Sequence, residues 1–160
     1  MTVVVRPAVA GDAPGIARVH IAAWRETYAR LLPAGALDDL DPVARAGRWV
    51  EILEAGRTDV AVAEAEGAIV GWASASTGRD ADAPRDRELE GIYLLADRYG
   101  TGAGQRLLDA LIGDRPAYLW SAADNPRAQA FYVKNGFHDD GTRSEYPLAG
   151  HPVTIARFVR

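Results

Sequence analysis

Apolar residues along the chain follow two rhythms. Val3–Val5 is a continuous apolar run ended by Arg6-Pro7, the signature of a short buried strand. From Asp12 the spacing changes to three and four, through Ile16, Val19, Ala23, Trp24 and Tyr28. That period predicts an amphipathic helix with Asp12 as N-cap, broken at Leu31-Leu32-Pro33. Asp41-Pro42 opens a second helix through Val43, Trp49, Ile52 and Leu53, which Gly56 stops. Two strands, Val60–Ala65 and Ala68–Ser76, flank Glu66-Gly67 as a hairpin. The polar stretch Thr77–Arg87 reads as a loop, and Glu88–Leu95 as a strand that becomes continuously apolar. Beyond the glycine-dense Gly100–Gly104, Gln105–Ile112 turns Leu107, Leu108, Leu111 and Ile112 inward and ends at Gly113. Ala117–Ser121 follows Pro116 as a short buried strand. Asn125-Pro126 then starts a helix with Ala128, Phe131 and Tyr132 on one face, stopped at Asn135-Gly136. Phe137–Tyr146 and Val153–Val159 read as strands joined through Pro147–Pro152. The order predicts one mixed α/β domain over residues 1–160.

Composition narrows the function classes. A length of 160 residues with 48% hydrophobic positions suits a single domain, which buries about 70% of its unfolded surface. A net charge of −4 argues against a nucleic-acid partner, which favours a basic stripe. Lys134 is the single lysine among many arginines, so arginine abundance says little about phosphate partners. With no cysteine there is no disulfide, thiolate nucleophile or thiolate zinc site. His20, His138 and His151 lack metal-ligand spacing, and no metal is expected. No apolar run approaches 18 residues and the N-terminus has no signal-like core. The expectation is a cytoplasmic protein without a membrane partner.

Two constellations carry chemistry. In Gly100-Thr101-Gly102-Ala103-Gly104, between an apolar strand and a helix, alternating glycines remove the Cβ atoms that keep a ligand off the backbone. N–H groups at the positive end of a helix then suit a pyrophosphate. A P-loop would need a following lysine, and a dinucleotide fingerprint would need its third glycine one residue later. The same residues also read as a plain tight turn. The second constellation is NPRAQAFYVKNGF from Asn125, in which Asn125 and Tyr132 lie two helical turns apart and share a face. Helix rules alone favour reading them as an N-cap and a core aromatic.

This run resembles the second signature of the GNAT superfamily of acetyl-CoA-dependent N-acetyltransferases, roughly N-x-x-A-x-x-F-Y-x-x-x-G-F. The glycine turn, preceded by Ile92-Tyr93-Leu94, is similar to that family's first signature, and the opening VVVRPAVAGDAPGIARVHIAAWRETYARLLP is also GNAT-like. The resemblance implies a single GNAT-like α/β domain. Its sheet would be central, mixed, mostly antiparallel and splayed, with about seven strands flanked by about four helices. It also implies acetyl-CoA as co-substrate, an amine acceptor from a small molecule or a peptide or protein, and a monomer or homodimer. Gly100, Thr101, Gly102, Ala103 and Gly104, with Gln105, would hold the pyrophosphate. Leu94, beside Leu95, would pair its backbone with the pantetheine arm. Asn125 would bond the coenzyme, and Tyr132 would sit by the sulfur as general acid. Tyr99 stands where Gln or Arg is usual, with Arg98 one place early, and its hydroxyl would reach a coenzyme phosphate in their stead.

The chemistry asks for a neutral amine, a polarised thioester carbonyl and a proton for the departing thiolate. A tyrosine of pKa ~10 is matched to a thiol near ~8.5. An ammonium near ~10.4 must lose a proton to a carboxylate. Glu88 and Glu90 stand two apart on one strand face; the resemblance implies a base around Glu88, which ranks first, with Glu90 second. Trp120 occupies the strand position where some members carry a glutamate. Trp24 and Tyr28, with Arg25 and the 141–152 connection, would flank the acceptor by analogy. Two other readings stay open: a non-catalytic coenzyme A-binding module of the same fold, and a nucleotide-binding α/β domain.

Overall fold

A computed structural model describes residues 2–160; the expected domain's Met1 lies outside them. Seven strands form one sheet. They are β1 (Val3–Pro7), β2 (Asp59–Ala65), β3 (Ala68–Thr77), β4 (Arg87–Leu94), β5 (Tyr118–Ala122), β6 (His138–Leu148) and β7 (His151–Val159). Four α-helices accompany them: α1 (Ala13–Tyr28), α2 (Pro42–Ala55), α3 (Ala103–Leu111) and α4 (Pro126–Lys134). The strand order is β1-β2-β3-β4-β5-β7-β6, antiparallel throughout except between β4 and β5.

The alternation of β3 explains how both sheet faces are covered. Ala73 and Ala75 look toward Leu107, Leu108, Leu111 and Ile112 of α3 and its C-terminal end, in a core that Tyr132, Phe137 and Phe158 extend. Trp72, on the other face, packs with Trp49 of α2 and Ile16 and Val19 of α1. Small alanines on one side let α3 lie close, while the tryptophans fill the wider gap on the other. A third cluster, Leu32, Leu37, Ala122, Leu148 and Val153, ties the α1–α2 connection to the β6–β7 hairpin.

Three sequence expectations change. Asp12 precedes α1, yet its side chain makes no cap bond there. Its two oxygens take both Arg6 guanidinium nitrogens at 2.8 and 2.9 Å, and one also accepts the Val9 N–H. A two-point pair with a guanidinium outcompetes a single cap bond to a backbone N–H. The segment 147–152 is not a connecting loop. The strands run to a two-residue turn at Ala149-Gly150, where both residues have positive φ (49° and 78°). Pro147 and Pro152 face each other across the ladder, and β6 is an edge strand that tolerates a missing donor. Residues 141–148, expected to flank the acceptor as part of a connection, are therefore strand. Finally, α3 begins at Ala103, because Gly102 itself (φ 83°) is the N-cap.

Candidate active site

The site starts from a fork in the sheet. β4 and β5 pair only at Glu88 with Tyr118 and at Leu89 with Leu119. Beyond that point β4 keeps its ladder with β3, from Gly91–Ser74 to Leu94–Gly71, and among the described residues has no strand on its other side. A β-bulge sits at the fork: Leu89 pairs with Ala75 and Gly91 with Ser74, leaving Glu90 without a partner. A cleft of about 500 Å3 opens there. The β4 backbone, the glycine turn, the N-terminus of α4 and the rings of Tyr28, Tyr93, Trp120 and Tyr132 all contribute to it.

At one end the backbone does the work. Gly100 and Gly102 have φ of 77° and 83°, with open space where a Cβ would stand. The first helical bond of α3 runs from the Arg106 N–H to the Gly102 carbonyl at 3.1 Å. The N–H groups of Gly104 and Gln105 have no acceptor among the described residues. Helix ends leave such donors for a ligand or water. Thr101 is exposed, its hydroxyl donating to the Arg98 carbonyl, while Ala103 is fully buried. The Gln105 amide is engaged with Asp109 and Asn135, so only its backbone is free. Leu94 lines the cleft. Leu95 packs into the cores instead and donates its N–H to Val70.

On α4, the Asn125 side chain accepts the Ala128 N–H at 3.3 Å, a true N-cap, and its amide N–H groups stay unpaired beside the cleft. Tyr132 borders the same cleft while packed against Phe137 and Phe158. Burial, reinforced by the neighbouring Tyr28, pushes its phenol above the usual tyrosine range, so it stays protonated at any working pH. The Tyr28 hydroxyl meets that of Tyr93 at 2.8 Å. Trp24 does not reach the cleft. It stands edge-on to His20 and Tyr28, with the Arg45 guanidinium over its ring.

The two glutamates part company. The Glu88 side chain is 2% exposed, whereas that of Glu90 is 18% exposed and lines the cleft. Glu88 accepts three bonds from Arg79, at the backbone N–H, Nε and Nη2, and one from the Tyr118 hydroxyl. Glu90 is hydrogen-bonded to the Ser76 hydroxyl and stands 3.9 Å from Arg79 Nε. Trp120 closes the same end, its indole N–H donating to Asp80 at 2.9 Å. The loop 78–86 thus folds back over the strand through Arg79 and Asp80. Sequence reasoning assigned no role to Arg79, Tyr93 or Arg127. Tyr93 was legible within the strand before the turn, whereas Arg79 lay in a loop with no periodicity to mark it.

Comparison with known proteins bears on this geometry. The model of the acetyltransferase (GNAT) family matches residues 21–137. A relative named a probable N-acetyltransferase in Mycobacterium tuberculosis is 31% identical over 157 residues, spanning 91% of this chain and 86% of its own. The chain belongs to the GNAT family of N-acetyltransferases. Its fold matches PaiA N-acetyltransferase of Thermoplasma acidophilum in complex with coenzyme A. There the TM-score is 0.71 and the identity 18%, over 98% of both chains. It also matches yncA of Salmonella typhimurium with its cofactor acetyl-CoA, at TM-score 0.71 and 19% identity, over 100% of this chain and 94% of that one.

Proposed function

We propose that the chain transfers an acetyl group from acetyl-CoA directly to an amine of a small molecule, peptide or protein within a ternary complex. The observation that carries this reading is the fork. One continuous cleft brings unpaired β4 backbone, free N–H groups of a glycine turn, a tyrosine held protonated and a partly exposed carboxylate to a single channel. The likeness to chains that bind coenzyme A supports it.

The residues divide the work as follows. The backbone N–H groups of Gly104 and Gln105 hold the pyrophosphate, and the free edge of β4 near Leu94 aligns the pantetheine amides. Asn125 donates from its unpaired amide. Donors on the β4 edge polarise the thioester carbonyl as charge builds on its oxygen. Glu90 replaces Glu88 as base, because Glu88 is spent on Arg79 and Tyr118 away from the cleft. Glu90 takes a proton from the acceptor ammonium, directly or through water. The amine nitrogen then bonds to the carbonyl carbon, the carbon–sulfur bond breaks as Tyr132 gives its proton to the leaving sulfur, and the proton that the nitrogen sheds on becoming an amide returns through water to the Tyr132 phenolate. A raised phenol pKa keeps this donor loaded but makes its proton harder to release, so close contact with the thiolate is required.

Thermal denaturation with acetyl-CoA, beside NAD and ATP, tests the reading. At 100-fold over Kd, binding adds about 2.7 kcal/mol, or roughly 5–11 °C in midpoint for a chain of this size. A shift with acetyl-CoA alone is expected, followed by thiol release in an amine screen. A shift with no thiol release for any amine would favour the non-catalytic binding module, and no shift at all would overturn the coenzyme assignment.

A further inference from the structure

The rim of the coenzyme end holds one arrangement that the mechanism leaves unused. Tyr99 immediately precedes the glycine turn, in extended conformation and 37% exposed. Over its ring lies the guanidinium of Arg127, on the first turn of α4, with its carbon 3.5 Å from the ring centroid. Both residues border the cleft together with Gly100, Gly102 and Gly104. The contact therefore crosses the mouth from the α3 side to the α4 side. Among the described residues Arg127 has no carboxylate and no carbonyl partner. Arg30, which borders a smaller depression beside Arg127, behaves differently: it is neutralised by Asp124 at 2.8 Å.

A guanidinium stacked on a ring uses its face and keeps its N–H edge free. That edge matches two oxygens of a phosphate in a fork geometry. A lone cation parked on an aromatic ring beside unpaired helix-terminal N–H groups is a complement to an anion, not a stabilising surface pair. We infer that Arg127, held in place by Tyr99, is a phosphate-binding residue of this chain. It supplies from α4 the charge that the backbone N–H groups of the glycine turn lack. Tyr99 is the positioning residue: its ring, not its hydroxyl, is the working part. The ligand class is a diphosphate ester, and the inference rests on the coenzyme reading above.

Titration calorimetry on the full chain separates the two. Coenzyme A is compared with pantetheine, which shares the thiol arm and lacks every phosphate. R127Q is expected to weaken coenzyme A binding on the order of 10- to 100-fold and to leave pantetheine within about twofold. The salt dependence of coenzyme A binding flattens in the same variant, because one cation–phosphate contact is gone. Y99F, which keeps the ring, stays within about twofold of wild type, whereas Y99A weakens coenzyme A several-fold. Unchanged coenzyme A affinity in R127Q overturns the inference while leaving the coenzyme reading intact. Equal losses for coenzyme A and pantetheine overturn it too, since they show a structural role. Failure of the wild-type chain to bind coenzyme A overturns the coenzyme reading itself.

Discussion

The two ends of the cleft are built by opposite means. At the α3–α4 end the functional surface is mainly backbone: two glycines with positive φ, a helix start and unpaired N–H groups. At the end closed by the 78–86 loop it is a web of side chains, with Arg79 on Glu88, Asp80 on Trp120, and Ser76 on Glu90. A backbone site presents the same donors whatever the neighbours are. A side-chain site works only if each charge has found its proper partner. The Glu88–Glu90 pair shows the consequence. They share a strand and a chemistry, yet the one saturated with donors lies outside the cleft that the other lines.

That contrast can be broken by mutation, most severely at the reacting atoms. Tyr132→Phe is expected to lower kcat on the order of 10²- to 10⁴-fold with coenzyme affinity nearly unchanged; unaltered turnover would remove Tyr132 from the acid role. Glu90→Gln comes next, with turnover at pH 7 falling on the order of 10²-fold and the optimum moving alkaline. Without a base the enzyme must draw on free neutral amine, roughly one molecule in 2,500 at pH 7 for a pKa of ~10.4. A pH–rate profile that does not move would assign deprotonation to water alone.

Glu88→Gln sharpens the comparison by failing differently. It weakens a buried acceptor of four bonds, at a cost of about 2 kcal/mol, so Tm drops by roughly 4–8 °C. Turnover per folded molecule is retained. A large kcat loss with an unchanged melting curve would reverse the assignment of the two glutamates.

The smallest effect comes from His20, buried among the rings of Trp24, Trp49, Trp72 and Tyr93. Burial, with Arg45 nearby, pulls its pKa down to about 3, and the Trp49 indole N–H donates to its Nδ1 at 3.2 Å. The unfolded chain therefore binds a proton near pH 6.5 that the folded chain refuses until about pH 3. The stability from His20 is complete above pH 6.5 and declines as pH falls, by about 1–2 kcal/mol at pH 5. Asp12, Asp139 and Asp140 are held below the usual carboxylate range, so their contributions fade only at lower pH. Melting curves between pH 5 and 7 should thus slope upward with pH in wild type and flatten in His20→Gln.

Much of this molecule is legible in local sequence because its causes are local. The leucines at 107, 108 and 111, the Asn125-Pro126 start and the Glu66-Gly67 turn each act within one or two helical turns or a hairpin. Their elements form where the spacing puts them. The glycine turn and the Asn125–Tyr132 face were legible for the same reason, and both border the cleft. Where the structure departs from that reading, a side-chain contact or a continued ladder overrode the local pattern. Arg6 reached six residues to take Asp12 from its helix, and Pro147 met Pro152 across a tight turn. Trp24, four residues from Tyr28, was absorbed into the His20 cluster and kept from the cleft.

The sequence by itself determined the alternation of strands and helices, the family, and the backbone-built end of the cleft. These depend on periodicity and on glycine's freedom at positive φ, which are properties of a few neighbouring residues. Only the tertiary structure decided which glutamate faces the channel and where Arg127 rests. The first depends on a bulge at Glu90 and a loop that brings Arg79 back to Glu88; the second depends on Tyr99 meeting a helix 28 residues further along. Charges are assigned by whatever the fold brings within hydrogen-bond reach, and no local pattern carries that information.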